Sequence, residues 1–168
     1  MHIEFTKGIE GDLVSIERDD GTVATTTVSK KGRIPHDVIH LIVEESMGFR
    51  TAFWGRVAAG VHPEIVASIA KAGGHASSQR ARQPDPGIVE LIQAERLVEC
   101  FEAEMWSDPA DAATFFGVFE AACAQSLVPA DILTEEQIQT LRVQLSRFEN
   151  QWRQLAIGER VALACEAL

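Results

Sequence analysis

The sequence has 168 residues, of which 46% are hydrophobic and 24% are charged. This balance is typical of a single globular domain with its own core, and it argues against a disordered chain. The formal net charge of −10 argues against nucleic acid as a general partner and against anionic membrane surfaces, because both attract clustered Lys and Arg. No apolar run approaches the roughly 20 residues that cross a bilayer, so no membrane association is predicted.

Cysteine usage and the start of the chain indicate a cytoplasmic protein. Cys100, Cys123 and Cys165 are far apart and have no Cys-x-x-Cys spacing, which predicts reduced thiols that act as small apolar residues. Residues 1–5 show neither the basic nor the apolar region of a secretory signal. Whether the protein forms a homo-oligomer, and which small molecule or protein it binds, stays open at this level.

The N-terminal region has the pattern of a small antiparallel sheet. Ile3 and Phe5 alternate with polar neighbours, which predicts a first strand. Two runs rich in β-branched residues then flank Asp20-Gly21, a dipeptide that suits the positive φ angles of a tight turn. Residues 12–28 are therefore predicted to form a hairpin that turns at Asp19 to Gly21.

The remainder of the chain reads as mostly helical. Pro35 favours the first position of a helix, which is predicted to run to about residue 47 and to end at Gly48. Shorter helices are predicted over 53–59 and 63–72. Residues 73–86 are small, polar and locally basic, and they predict a mobile surface linker within a single domain of residues 1–168.

Three longer helices are expected after this linker. The first is predicted to start at Pro86 with Asp85 as its cap, and the second at Pro109 with Asp108 as its cap. Thr134 and Gln137 have the spacing of a capping box and mark the start of the third, which is expected to end near Gly158.

The tail alternates between apolar and small or polar residues from residue 160 onward, with Val161, Leu163 and Cys165 on one side. This alternation predicts a final strand that returns to the N-terminal hairpin. The predicted fold is therefore α+β, with a short antiparallel sheet packed against a mostly helical body.

One predicted helix, beginning at Pro35, carries residues suited to chemistry. His36 and His40 are four residues apart on one polar arc, together with Asp37 and Glu44. Histidines at this spacing can direct their ring nitrogens at one divalent metal such as zinc, as in the His-Glu-x-x-His signature. Here Asp37 replaces the glutamate of that signature, which makes it the candidate general base.

The third metal ligand is not obvious from the sequence. Glu44 lies eight residues beyond His36, or roughly 12 Å along a helix axis, so a ligand from elsewhere is expected. His75 in the linker is the first candidate, and His62 is the second. The acidic residues of the following helix are interpreted as a solvated face; they are Glu95, Glu99, Glu102 and Glu104.

Two functions remain open on this evidence. The polar arc can be an ordinary solvated face, with His40 and Glu44 forming a simple hydrogen-bonded pair. The protein would then be a binding or structural module without catalysis, which is the preferred interpretation. The alternative is a metal-dependent enzyme, such as a hydrolase, that uses His36, His40 and Asp37.

Several segments together resemble a group of small uncharacterised bacterial proteins. The segments are PHDxxHxxVE at 35–44, FWGxVAxG at 53–60, Asp20-Gly21 in the hairpin, and Trp152-x-x-Leu155-x-x-Gly158 near the end. The resemblance covers mainly residues 1–60 and the last twenty. It implies a bacterial, cytoplasmic origin, and it brings no activity or catalytic residues with it.

Overall fold

The structure is a computed structural model that describes residues 1–73, 86–130 and 133–165. The described residues form a four-stranded antiparallel sheet and six α-helices, which confirms the predicted α+β fold. The strands run in the order β3-β2-β1-β4 across the sheet. Their bounds are β1 (His2–Thr6), β2 (Gly11–Glu17), β3 (Val23–Ser29) and β4 (Arg160–Ala164). The helices are α1 (His36–Met47), α2 (Phe53–Ala58), α3 (Pro63–Gly73), α4 (Val89–Glu104), α5 (Ala112–Gln125) and α6 (Glu135–Gln154).

The hairpin of β2 and β3 confirms the strongest local prediction. Glu17 pairs with Val23 across the turn, and Gly21 adopts a φ of 79°. The Thr22 amide donates to Asp20 Oδ1 at 2.9 Å, so the turn is held by its own side chains. The Asp-Gly pair thus closes the hairpin where the sequence predicted it.

The C-terminal strand is also confirmed, and it lies beside the first strand. Phe5 pairs with Val161 in the antiparallel ladder between β1 and β4. Lys7 Nζ donates to the carbonyls of Trp152 and Leu155 at 3.0 and 2.9 Å, which places a positively charged donor at the carbonyl end of α6. The last helix ends at Gln154, earlier than predicted. Gly158, the predicted stop, lies in the following turn with a φ of 89°.

Two helix starts differ from the predictions. Pro86 opens a 3-10 turn, Pro86–Ile88, and the α-helix proper begins at Val89. The next helix starts at Ala112 because Asp111, rather than Asp108, accepts a hydrogen bond from the Thr114 amide. The capping box of α6 at Thr134 and Gln137 is present as predicted. The predicted linker lies almost wholly outside the described residues, as does the predicted cap Asp85.

The core lies between one face of the sheet and the helices. The first helix, α1, contacts α2, α4 and α6. Val38, Leu41 and Val43 are buried at the centre of its apolar side. Trp54 of α2 is also buried and donates its indole N–H to the Asp37 carbonyl at 2.8 Å. None of the described helices combines the length and apolar character needed to span a bilayer. Packing therefore holds α1 in the middle of the molecule.

Removing the Trp152 indole should destabilise the fold strongly. Trp152 is 5% exposed, and its ring stacks on Phe148 with centroids 5.9 Å apart. Trp152→Ala should lower the free energy of unfolding by about 3–5 kcal/mol because it leaves a large cavity. Chemical denaturation would measure the loss against Arg147→Ala, an exposed control on the same helix. Equal midpoints for the two variants would contradict the assigned packing.

Candidate metal centre

Two histidine rings meet on the α1 surface that faces α4. Because His36 and His40 are one helical turn apart, their side chains lie over one another, with ring centroids separated by 4.8 Å. The two Nε2 atoms are 3.2 Å apart. This distance is short enough for one small cation to contact both nitrogens.

A carboxylate from α4 completes a three-residue cluster, the His–His–Glu group of His36, His40 and Glu95. Glu95 Oε1 lies 3.7 Å from His40 Nε2, and one ligand atom of each residue lies within 4.8 Å of the others. Interpreting Glu95 as part of a solvated face is therefore wrong, because the packing of α4 against α1 turns its side chain toward the histidines. The predicted ligand His75 lies outside the described residues.

His62, the second predicted candidate, is placed elsewhere. Its Nδ1 accepts from the Glu64 amide at 3.3 Å, near the start of α3, and among the described residues it is not part of the group. Its imidazole serves the first turn of a helix instead.

Each histidine of the group is oriented by a second carboxylate. His36 Nδ1 lies 2.8 Å from Glu102 Oε1, and His40 Nδ1 lies 3.2 Å from Glu44 Oε1. Metal-binding histidines commonly donate their other ring N–H to a carboxylate in this way, which fixes the tautomer and the ring orientation. Glu102 is thus another acidic residue of α4 that does not simply face solvent, since it orients His36.

Glu44 is the most deeply buried charged group in the described part of the chain, with an exposed fraction of 0%. It accepts hydrogen bonds from the Phe53 and Trp54 amides at 3.2 and 2.6 Å, so its carboxylate caps the start of α2. Burial raises the pKa of Glu44, while the hydrogen bond with His40 opposes that rise. The predicted His40–Glu44 pair forms, but it lies in the interior rather than on a solvated arc.

The charge state of His40 follows from these neighbours. Burial opposes a charge on the ring, but its interactions with Glu44 and Glu95 outweigh burial and raise the pKa of His40 to about 10. At neutral pH without metal, His40 is therefore protonated. Its Nε2–H then points at His36 Nε2, which resolves the close approach of two nitrogen atoms.

A metal ion fits the same position. Zinc bound at about 2.0–2.1 Å from each nitrogen in a tetrahedral site has neighbouring ligand atoms roughly 3.3–3.4 Å apart. The observed separation of the two Nε2 atoms is 3.2 Å. The spacing of the histidine pair is therefore close to that of two ligands on one zinc ion, and Glu95 Oε1 lies 3.7 Å from His40 Nε2.

The group is open to solvent on one side. The His40 side chain is 4% exposed, whereas Glu95 and His36 are 28% and 36% exposed. His36 also lines a cavity of about 670 Å³. Other residues of its wall are Thr26, Thr27, Lys31, Ile39, Phe53, Glu64, Glu102 and Trp106. A metal held by the group would therefore adjoin a space large enough for a small molecule.

Asp37, the candidate base, lines the same cavity. Burial raises the pKa of Asp37 above its ordinary value, and the neighbouring His40 and His36 oppose that rise. Asp37 does not orient either imidazole, because His36 bonds to Glu102 and His40 bonds to Glu44.

Comparison of the sequence with protein-family models and with curated proteins, and of the structure with solved structures, finds no match. The resemblance to small bacterial proteins stays a prediction. The function must therefore be argued from the geometry of the His–His–Glu group and its cavity.

The cysteines take no part in this group, and they should be unreactive. Cys100, Cys123 and Cys165 are buried thiols that form no disulfide with one another. Burial raises the pKa of Cys100 to about 11 and that of Cys123 to about 12. Because the thiolate is the reactive form, native protein at pH 8 should resist iodoacetamide at both thiols, whereas unfolded protein should be alkylated. Peptide mass spectrometry measures both, and rapid native labelling of Cys123 would contradict its burial.

Proposed function

We propose that this protein binds a divalent transition metal, with zinc as the best fit, through His36, His40 and Glu95. The observation that carries the proposal is the 3.2 Å approach of two histidine Nε2 atoms whose Nδ1 atoms lie next to carboxylates. Nitrogen and carboxylate ligands of this kind suit zinc. The overall negative charge of the protein also favours a cation.

The number of ligands favours a catalytic site over a structural one. Structural zinc sites are closed by four protein ligands, whereas catalytic sites have three and keep one position open. Among the described residues the group offers three ligands; His36 and Glu95 are partly exposed, and His36 lines the cavity. We therefore assign the protein as a metal-dependent hydrolase that acts on a small molecule in this cavity.

Different residues of the site would have different roles in such a reaction. A bound zinc ion with an open position would polarise a carbonyl or phosphoryl oxygen and activate water. Glu44 and Glu102 hold the two imidazoles in orientation. Asp37 lines the same cavity and is the candidate to accept a proton from the attacking water. Phe53 and Trp106 supply apolar surface to the cavity wall.

Zinc titration tests the metal site directly. Isothermal titration of metal-free protein should give one zinc per chain, and the His36→Ala/His40→Ala double variant should lose this binding. His2→Ala is the matched control, because His2 is exposed at the start of β1. Elemental analysis of the purified proteins should show the same pattern, and equal zinc uptake by all three would refute the site. A His75→Ala variant tests the outstanding prediction that His75 is a ligand.

Zinc affinity should rise with pH. The pKa of His40 is raised to about 10 in the metal-free protein, and only neutral imidazole binds metal. Zinc must then displace one proton at neutral pH, so the apparent affinity should increase up to about tenfold per pH unit. Titrations at pH 7 and pH 8 in buffers that do not chelate zinc measure this dependence. An affinity that is constant between those values would contradict the protonated state of His40.

Hydrolysis is tested separately from binding. Zinc-loaded protein should cleave members of a panel of p-nitrophenyl esters and phosphates, and Asp37→Asn should reduce the rate while zinc binding is retained. The competing function, a binding or structural module without catalysis, predicts zinc binding with no turnover on the whole panel. In that case the ion would serve to link α1 to α4, and its removal would lower the melting temperature only.

A further inference from the structure

A second cavity, of about 360 Å³, lies on the other side of the segment that precedes α1. Gly32, Arg33 and Ile34 line both this cavity and the larger one beside the metal group. Its remaining wall comes from Lys7, Asp12, Lys30, Pro35, Glu149, Trp152 and Arg153. It has no residue of the His–His–Glu group, so any ligand there binds separately from the metal.

The charge around this cavity is opposite to that of the whole protein. Four cationic side chains line it, together with only two carboxylates, so the wall carries an excess of two positive charges. The whole chain has a formal net charge of −10. Concentrating positive charge in a concave surface of an acidic protein is unfavourable unless an anion neutralises it.

The contacts show which cations are already neutralised. Lys30 lies 3.4 Å from Asp12 Oδ1, and Arg33 lies 2.6 Å from Glu149 Oε1. Lys7 donates to backbone carbonyls at the end of α6, and its Nζ lies over the Trp152 ring, 5.6 Å from the ring centroid. Arg153 donates to the neutral Asn150 amide oxygen at 3.1 Å.

Among the residues that the structure describes, Lys7 and Arg153 are therefore the two cations of this wall without a carboxylate partner. Lys7 has a structural role at the end of α6, but that role does not remove its charge. Within the described part of the chain, the Arg153 side chain bonds to Asn150 on its own helix, and it is exposed. Its guanidinium is therefore the group most available to an incoming ligand.

We propose that this cavity binds the doubly charged phosphate group of a small molecule. A dianion matches the excess of two charges at the wall. Guanidinium groups present paired donors that match phosphate oxygens, and lysine adds a compact positive charge. The volume is near the lower end for ligand sites, which limits the ligand to free phosphate or a small phosphate ester.

Inorganic phosphate is the probe that tests this site. Titration at constant ionic strength, with chloride as the balancing anion, should show saturable binding to metal-free protein. The indole N–H signal of Trp152 should shift in a ¹H–¹⁵N spectrum, because Trp152 lines this cavity. The signals of Trp54 and Trp106 should stay in place, and Trp152→Phe assigns the signal that moves.

Variants distinguish specific phosphate binding in this cavity from nonspecific electrostatic attraction of anions. Arg153→Gln should weaken phosphate binding at least tenfold, Arg153→Lys should restore part of it, and Lys7→Gln/Arg153→Gln should abolish it. Arg147→Gln removes an exposed cation of the same helix outside the cavity, and it should bind like the parent protein. A small phosphate ester such as glycerol phosphate should compete if the ligand is an ester.

Two outcomes would overturn the proposal. In one, phosphate shifts the Trp152 indole signal no more than chloride does at the same ionic strength. In the other, Arg147→Gln weakens binding as much as Arg153→Gln. Because the titration uses metal-free protein, its result does not depend on whether zinc binds at the His–His–Glu group. Failure of phosphate binding would leave the proposed metal site untouched, and failure of zinc binding would leave this site untouched.

Discussion

Glu44→Ala is expected to lower the free energy of unfolding by about 3–5 kcal/mol, which is the cost of breaking a buried ion pair by removing one partner. The Glu44 carboxylate is 0% exposed and interacts with the Phe53 and Trp54 amides and with the His40 ring. Its removal leaves buried donors without an acceptor and a buried imidazolium without its counter-charge. The fold thus depends on one carboxylate that joins α1 to the start of α2.

Urea denaturation of metal-free protein would measure this loss. Glu44→Gln keeps an acceptor oxygen but not the charge, and it should cost less, about 1–3 kcal/mol. Glu120→Ala, an exposed substitution on α5, should change stability by less than about 0.5 kcal/mol. If Glu44→Ala unfolds at the same urea concentration as Glu120→Ala, the buried network does not contribute as described.

Glu95→Ala should weaken zinc binding by at least about 100-fold, because it removes one of three ligands from the proposed site. Glu102→Ala should have a smaller effect, about 10–100-fold, since Glu102 orients His36 without contacting the metal. These two substitutions lie on the same helix, α4. One removes a proposed ligand, and the other removes the carboxylate that orients a ligand. The order of their effects is therefore as informative as their size.

Competition with a chelator of known affinity would give the zinc dissociation constants of both variants. Glu120→Ala again serves as the control, because it removes an exposed acidic residue of α5 that is not part of the group and should leave zinc affinity unchanged. Circular dichroism spectra of the variants should match that of the parent protein, which separates loss of a ligand from loss of fold. Equal affinity of the Glu95→Ala variant and the parent would exclude Glu95 as a ligand.

The candidate site could be predicted only in part from the sequence. The four-residue spacing placed His36 and His40 together, because neighbours on one helix are determined by its pitch. Glu95 and Glu102 could not be found in this way, since Glu102 is 66 residues from His36 along the chain. A periodic acidic pattern on a helix looks the same whether the face meets water or another helix. The burial of His40 and Glu44 was not predicted for the same reason.

The sequence by itself determined the elements whose signals are local. The Asp-Gly turn, the helix that ends at Gly48 and the capping box at Thr134 depend on backbone φ angles and on hydrogen bonds within a few residues. The start of α5 lies at Ala112 rather than at the predicted Pro109, because Asp111 accepts the capping hydrogen bond from the Thr114 amide.

Only the tertiary structure decided which polar face became a site. The packing of α1 against α4 and α2 buries His40 and Glu44 and brings Glu95 to the histidine pair. The same packing places His36 and Asp37 at the wall of a cavity. Long-range contacts of this kind depend on the shapes of two helix surfaces at once, and no single stretch of residues encodes them.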